Sequence, residues 1–198
     1  MKKILLLSDT HSHMDERIIS YAKKADEIWH AGDIGDLSIT DSLEKIKPIR
    51  AVYGNIDNAK IRTVFPLFQS FKCEEVSVLI THIGGTPKRY AKGVKEQLDI
   101  HKPKLLILDE PFSGLDPINS NLMQAEIFEL KAKGTSIILS THRMEQVEEI
   151  CEYIVMINRG ENVLYGSVRE IKEQFKEHLF RIKYRGTLPS ALLPTGIH

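Results

Sequence analysis

Short apolar runs alternate with amphipathic segments along most of this chain of 198 residues. Short apolar runs bounded by turn residues are typical of buried strands, and apolar residues spaced three or four apart are typical of helices packed on a sheet. The alternation predicts an α/β fold with a largely parallel sheet flanked by helices. The predicted strands are Ile4–Leu7, Glu27–His30, Ile49–Val52, Val76–Thr81, Leu105–Leu108, Ser136–Ser140, Tyr153–Asn158, Val163–Tyr165 and Leu179–Tyr184.

Helices are predicted between these strands, with capping residues at several of their ends. They cover Met14–Lys24, Ser38–Ile46, Arg89–Ile100, Ile118–Lys133, Met144–Cys151 and Ser167–Lys176. The last residues, 185–198, contain two prolines and two glycines among small side chains and are expected to form a loose tail. No Pro/Gly/Ser-rich linker divides the chain, so the sequence does not predict two domains on a flexible tether.

Charge and hydropathy narrow the possible partners and the location. Lys plus Arg equals Asp plus Glu, at 27 each, so there is no global electrostatic argument for binding nucleic acid or an anionic membrane. No apolar run approaches the roughly 20 residues of a membrane span. The apolar run Ile4–Leu7 is ended by Ser8 and Asp9 too early for a signal peptide. We therefore expect a cytoplasmic protein.

Five polar residues follow four successive predicted strands. They are Asp9, His11, Asp33, Asn55 and His82. Each alone has an ordinary explanation, because an Asp after a strand commonly serves as a turn or cap residue. The carboxyl ends of parallel strands meet at one edge of a sheet, however, so we expect the five to lie close together there. Carboxylate, amide and imidazole groups suit Mn²⁺, Fe, Ni or Zn²⁺, and one carboxylate can bridge two ions.

Four segments of this part of the chain resemble motifs of the calcineurin-like metallophosphoesterases, in particular their small prokaryotic phosphodiesterases. The segments are Ser8-Asp9-Thr10-His11, Ala31-Gly32-Asp33-Ile34-Gly35-Asp36, Tyr53-Gly54-Asn55-Ile56-Asp57 and Thr81-His82. The resemblance covers residues 1–107. It implies a dinuclear metal site in which Asp9 and His11 hold one ion, Asn55 and His82 hold the other, and Asp33 bridges them. It also implies that Asp33, Asn55, Asp57 and His82 take part in phosphodiester hydrolysis.

The last motif of that family, Gly-His-any-His, is absent from this chain. In direct register after the strand, Glu110 takes the place of the first His and Phe112 that of the second. A carboxylate can bind a metal, whereas a phenyl ring cannot. The sequence therefore predicts that Glu110 joins Asn55 and His82 as a metal ligand, and that the other ion lacks one ligand at Phe112.

A second group of polar residues follows the strand Leu105–Leu108. Asp109 and Glu110 end this strand, Asp116 lies in the next loop, and His142 ends the strand Ser136–Ser140. One acid could hold Mg²⁺, the next could orient a water molecule, and the imidazole could reach a terminal phosphate. The ordinary alternative is a buried strand with acids before a helix.

This part of the chain, residues 104–184, resembles the back half of the ATPase subunits of ABC transporters. The resemblance implies that Asp109 is the Walker B acid, Glu110 the catalytic glutamate, Asp116 part of the D-loop and His142 the switch histidine, with Mg-ATP as their ligand. No Gly-x4-Gly-Lys-Ser/Thr segment occurs in the chain, so the β- and γ-phosphates have no cradle of backbone N–H groups. ATP binding and hydrolysis are not expected. The seam, Lys104–Ile107, fits both families. The two resemblances together imply a metallophosphoesterase-like half sandwich that continues, through a sheet shared at the seam, into the C-terminal half of an ABC ATPase core.

Three hypotheses about function follow from these patterns. The first is a metal-dependent phosphoesterase acting on a small phosphodiester, impaired because the last motif is missing. The second is a fragment of an ABC ATP-binding subunit that acts only as a docking module on a transporter membrane subunit. The third is a recombinant or artificial hybrid without an evolved function. The first has four of its five motifs and is preferred.

Overall fold

The computed structural model describes residues 1–82, 85–86, 89–90, 94–159, 161–176 and 185. The chain forms two compact units, Met1–Ile150 and Cys151–His198. Among the described residues, no helix has the length and apolar character needed to cross a membrane.

The first unit begins with a parallel sheet of three strands in chain order. The strands are β1 (Ile4–Leu7), β2 (Glu27–His30) and β3 (Ile49–Ala51), and each is followed by a helix: α1 (Glu16–Lys24), α2 (Leu37–Glu44) and α3 (Ala59–Val64). The helices begin where a side chain accepts backbone N–H groups of the first turn, at Asp15, Asp36 and Asn58. A buried cluster that includes Ile28, Leu43 and Ile61 packs the helices on this sheet.

A second sheet of four strands belongs to the same unit. In chain order this region contains β4 (Phe68–Cys73), β5 (Val76–Thr81), two short paired strands β6 (Gly85–Thr86) and β7 (Arg89–Tyr90), α4 (Val94–His101), β8 (Leu105–Asp109), α5 (Pro117–Ala132), β9 (Ser136–Ser140) and α6 (Met144–Ile150). The spatial order of the sheet is β4-β5-β8-β9, with β4 antiparallel to β5 and the other pairs parallel.

The two sheets of this unit pack face to face. Trp29 and Val52 of the first sheet and its adjoining loop contact Val78, Ile80 and Ile107 of the second in one buried cluster. The Trp29 ring also meets Phe71 edge to face at 5.1 Å between centroids. Residues before the seam and Ile107 within it therefore share a single core.

The segment beyond the seam adds a third buried cluster. Phe112 is fully buried against Met123 and Ile127 of α5 and Ile150 of α6. The strand β8 pairs with β5 on one side and with β9 on the other. The seam thus lies in a sheet shared by both parts of the chain, as both resemblances require.

The second unit contains one hairpin and one helix among its described residues. Strands β10 (Tyr153–Asn158) and β11 (Glu161–Ser167) are antiparallel, and Ser167 caps α7 (Val168–Gln174). The strand predicted over Val163–Tyr165 is therefore longer. The predicted strand Leu179–Tyr184 lies outside the described residues, as does the tail apart from residue 185.

The structure adds a strand that the sequence did not predict and corrects the start of one predicted helix. Strand β4 is not evident from the sequence, because Gln69, Ser70 and Lys72 interrupt its apolar positions. Pairing with β5 in a hairpin stabilises it nonetheless. The helix predicted to begin at Arg89 begins at Val94, because residues 89–90 pair with 85–86 as a short strand.

Candidate metal centre

The loops after β1 and β2 lie side by side and carry three of the predicted site residues. Their backbones are joined by hydrogen bonds from Asp9 N to Gly32 O (3.1 Å) and from His11 N to Asp33 O (3.1 Å). Asp9, His11 and Asp33 all have positive φ angles, of 51°, 44° and 55°. This backbone conformation is costly for residues other than Gly and is often found at functional sites. The local fold thus turns all three side chains out of the regular strands.

The side chains of Asp9, Asp33 and His82 converge at one point. Each offers a ligand atom, and these atoms all lie within 4.8 Å of one another. His82 Nε2 is 3.4 Å from Asp33 Oδ1. His11 Nε2 is 3.6 Å from Asp9 Oδ1 and 3.9 Å from Asp33 Oδ2. The sequence pattern placed these four residues and Asn55 together, and the contacts above join four of the five.

The cluster is buried on one side and open on the other. The side chains of His82 and Asp33 are 5% and 9% exposed, whereas those of Asp9 and His11 are 44% and 55% exposed. An external molecule can therefore reach the cluster past Asp9 and His11.

Two glycines allow this close packing. A Cβ at Gly32, whose φ is +113°, would lie 2.6 Å from His82 Cβ, and a Cβ at Gly54 would overlap the Asp33 carboxylate. Ile56 N donates a hydrogen bond to Asp33 Oδ1 at 3.1 Å. Asn55 lies between Gly54 and Ile56 in the sequence, and both of these neighbours approach the Asp33 carboxylate. Asn55 is exposed, and its backbone O accepts a hydrogen bond from Arg62.

The predicted catalytic residue Asp57 has a different place in the structure. It is 2% exposed, and its two carboxylate oxygens accept hydrogen bonds from Gly35 N (2.8 Å) and Gly54 N (2.7 Å). With both oxygens bound to backbone, Asp57 fastens the β2 and β3 loops together. We therefore correct its role from reacting group to support.

The structure also corrects the prediction for Glu110. Its Oε1 lies 2.8 Å from His142 Nδ1, and its backbone N–H donates to Ser140 Oγ at 3.1 Å. The residue follows the end of β8 with a φ of 41°. Glu110 thus pairs with the second group of polar residues and not with His82 and Asn55.

Asp109, the residue before Glu110, contacts His82 instead. Its carboxylate faces His82 Nδ1 at 3.1 Å and accepts hydrogen bonds from Ser8 Oγ and Ser140 Oγ. Because side chains alternate along a strand, the acid one position earlier faces the core between the sheets. Asp109 is only 3% exposed.

Two further residues that the sequence singled out, Phe112 and Asp116, make structural contacts. Phe112 does not face the metal centre, since it is fully buried in the cluster with α5 and α6. Asp116 caps α5, where it accepts hydrogen bonds from the backbone of Ile118 and Asn119. Its sequence-based role in binding Mg-ATP has no counterpart in these contacts.

Burial and neighbouring charges alter the acidity of the cluster. Burial, followed by the negative charge of Asp109, raises the pKa of Asp9 to about 6. Burial also lowers the pKa of the His82 imidazole, but hydrogen bonding to Asp109 and the charges of Asp33 and Asp109 outweigh it, so that the pKa is raised. Burial favours the neutral form of Asp109, yet its hydrogen bonds to His82, Ser140 and Ser8 lower its pKa. A perturbed acid at the mouth of such a cluster is typical of a functional site.

Sequence reasoning missed a buried pair behind the cluster. His30 is fully buried, its Nδ1 accepts a hydrogen bond from Gly32 N (3.2 Å), and its Nε2 lies 2.9 Å from Thr10 Oγ1. Burial lowers the pKa of His30 to about 4, so the ring is neutral at pH 7. The signal was present, because His30 ends a strand whose residues are all buried. This pair supports the loops that carry Asp9 and Asp33.

Comparison with known proteins gives matches to two kinds of protein, phosphoesterases and ABC transporter ATP-binding proteins. A model of the calcineurin-like phosphoesterase superfamily domain matches residues 1–107. A solution structure of a Thermotoga maritima protein has the same fold, with a TM-score of 0.50 and 19% identity, over 84% of this chain and 99% of that one.

The curated relatives are ATP-binding proteins of ABC transporters, which match less than half of this chain. An uncharacterised ABC transporter ATP-binding protein of Alkalihalophilus pseudofirmus is 49% identical over 84 residues, which are 42% of this chain and 32% of the relative. The ABC transporter ATP-binding protein YhaQ of Bacillus subtilis is 53% identical over 76 residues, or 38% of this chain and 26% of the relative. The chain thus spans about a third or less of the length of these relatives.

The family match covers more than half of the chain and contains the convergent residues Asp9, Asp33 and His82. The chain therefore belongs to the calcineurin-like phosphoesterase superfamily.

Proposed function

We propose that this protein is a metal-dependent phosphodiesterase whose site lies at the ends of β1, β2 and β5. The observation that carries the proposal is the convergence of Asp9, Asp33 and His82 within 4.8 Å, with His11 beside them. Two carboxylates and two imidazoles are a donor set that fits a divalent ion. The two carboxylates suit Mn²⁺, which we take as the ion to test.

The position of Asp33 supports a dinuclear site. Its Oδ1 faces His82 Nε2, and its Oδ2 faces His11 Nε2. One subsite would thus comprise Asp9, His11 and Asp33, and the other Asp33, His82 and Asn55. Since Glu110 contacts His142 and Phe112 is buried elsewhere, neither replaces the missing histidines. We therefore expect weaker metal binding at one or both subsites than a complete ligand set would give.

The residues of this chain would divide the work of the reaction. Bound divalent ions would lower the pKa of a water molecule and offset negative charge on a phosphodiester. Asp57 holds the loops that position Asp33 and Asn55, through Gly35 and Gly54. The exposed sides of Asp9 and His11 leave room for the substrate.

Metal content and hydrolysis together test this proposal. The full chain is loaded with Mn²⁺, freed of unbound ions, and assayed for metal content and for hydrolysis of an aryl phosphodiester. We expect Asp33→Asn to lose both bound metal and activity, because Asp33 faces both histidines. The matched control is His142→Ala, which removes an imidazole outside the cluster and should retain both. Hydrolysis that survives Asp33→Asn, or that is lost in His142→Ala, would contradict the proposal.

A second candidate function is docking on the membrane subunit of an ABC transporter. The pair Glu110–His142, at 2.8 Å, brings together the two residues that the ABC resemblance assigns to ATP hydrolysis. Without a phosphate-binding loop in the sequence, this function would not require ATP. Titration with Mg-ATP should therefore give no measurable binding. Binding that is lost in Glu110→Gln and in His142→Ala would instead assign a nucleotide site to this part of the chain.

A further inference from the structure

The Asp109 carboxylate is buried where the two parts of the chain meet. Asp109 is the last residue of β8 and lies two positions beyond the family match. Because β8 lies between β5 and β9, its end is flanked by His82 just after β5 and by Ser140 in register on β9. Ser8, which follows β1, reaches it from the other sheet.

Hydrogen bonds hold this carboxylate in one orientation. Ser140 Oγ donates to Oδ1, and Ser8 Oγ donates to Oδ2. Ser140 Oγ in turn accepts the backbone N–H of Glu110 at 3.1 Å, so its own proton is directed to Asp109. The free edge of Oδ2 then faces His82 Nδ1 at 3.1 Å.

The surroundings of His82 determine which ring nitrogen carries a proton. Nδ1 faces two acceptors, Asp109 Oδ2 at 3.1 Å and Ala31 O at 3.0 Å. A nitrogen between two acceptors must donate, so Nδ1 is protonated. Nε2 is directed to Asp33 at 3.4 Å, inside the candidate metal centre. A carboxylate behind a metal-binding imidazole fixes its orientation and raises its basicity.

We propose that Asp109 is a positioning residue of the metal centre, which holds His82 with Nδ1 protonated and Nε2 available to a divalent ion. The inference rests on the proposed function. It means that a residue of the ABC-like part, at the place where the motif Gly-His-any-His would have its glycine, supports the phosphoesterase part. The two parts are then joined at the site itself and not only in the core.

The test compares Asp109→Asn with Glu110→Gln in the full chain. Both substitutions remove one negative charge at adjacent positions, but only the first removes the charge that faces His82 Nδ1. The ¹⁵N chemical shifts of the His82 ring in the metal-free protein report its tautomer, and calorimetric titration with Mn²⁺ reports affinity. We expect Asp109→Asn to lower the fraction of the Nδ1–H form, with Ala31 O still available as an acceptor, and to bind Mn²⁺ about 10- to 100-fold more weakly. Glu110→Gln should change neither.

Two outcomes would overturn the proposal: wild-type His82 with a proton on Nε2 alone, or Asp109→Asn with unchanged tautomer and Mn²⁺ affinity. If Asp109→Asn does not fold, Ser140→Ala removes one of the supports of the carboxylate and should weaken Mn²⁺ binding in the same direction. If wild-type protein binds no Mn²⁺, the proposed function fails. The tautomer in metal-free protein then still decides whether Asp109 positions His82.

Discussion

At the scale of single residues, the metal centre combines features that reduce stability in the absence of a ligand. Three of its residues have positive φ angles, and Asp9 has a pKa raised to about 6. Strained backbone and poorly solvated charge persist only where the surrounding structure enforces them. Here the paired loops and the two oxygens of Asp57 do so.

Asp9→Asn should stabilise the metal-free protein while abolishing Mn²⁺ binding at that position. Asn tolerates a φ of 51° as Asp does, and it carries no charge to be repelled by Asp109. In wild-type protein the folded state holds a proton on Asp9 up to about pH 6, whereas the unfolded chain releases it near the usual value of 3.8. This contribution to stability is lost as the pH rises through about 6.

Urea unfolding of both metal-free proteins at pH 4, 5, 6 and 7 measures this effect. The advantage of Asp9→Asn should grow from pH 4 to pH 7. Asp15→Asn is a suitable control, because Asp15 caps α1 and its pKa is lowered by the backbone N–H of Ile18. Because a lowered pKa affects stability only near and below the usual value of 3.8, the stability of that variant relative to wild type should stay nearly constant between pH 5 and pH 7. An advantage of Asp9→Asn that is independent of pH would show that the charge of Asp9 is not the cause.

At the scale of elements, strand β8 carries the connection between the two resemblances. Ile107, at the end of the seam, is 2% exposed and packs between the two sheets with Val78 and Ile80. Two residues later, Asp109 reaches the metal centre on the same side of the strand. The alternation of side chains along β8 therefore explains both the contact of Ile107 with the core and the position of Asp109.

Ile107→Ala should lower the free energy of unfolding by about 2–5 kcal/mol, because it leaves a cavity between the two sheets. The control is Ile138→Ala on the adjacent strand β9, where the side chain is 47% exposed and its loss should have little effect. Urea denaturation of the three proteins gives the comparison. Equal effects of the two substitutions would mean that the sheets are not packed across the seam.

At the scale of the whole molecule, the family match and the compact unit have different ends. The match covers residues 1–107, whereas the first compact unit extends to Ile150. The additional residues supply Asp109, the strand β9 and the buried cluster around Phe112. The ABC-like segment is thus part of the fold that holds the metal centre.

A chain truncated after Ile150 should therefore keep Mn²⁺ binding, and a chain truncated after Ile107 should lose it. The shorter chain lacks Asp109 and leaves β8 without the neighbour that β9 provides. Calorimetry with Mn²⁺ and far-UV circular dichroism on both proteins measure binding and folding. If residues 1–107 folded and bound Mn²⁺ as tightly as the full chain, the support from the ABC-like part would be excluded.

The sequence by itself determined most of the strands and helices and four residues of the cluster. Apolar runs are sufficient to predict buried strands, and residues that follow parallel strands converge at one edge. Asp9, His11, Asp33 and His82 could therefore be placed together without a structure, and the structure brings them within contact distance. The pattern also predicted that the seam strand would fit a continuous sheet.

Only the tertiary structure decided what each acid near the seam does. Two adjacent carboxylates at the end of a strand are equivalent in sequence, but alternation and the turn after β8 direct Asp109 to His82 and Glu110 to His142. Asp57 and Asn55 are likewise close in sequence, yet one oxygen of Asp57 accepts the backbone N–H of Gly35 in the loop after β2, and the other accepts that of Gly54 in its own loop. These roles depend on contacts between residues far apart in the chain, which no local pattern of apolar and polar positions encodes.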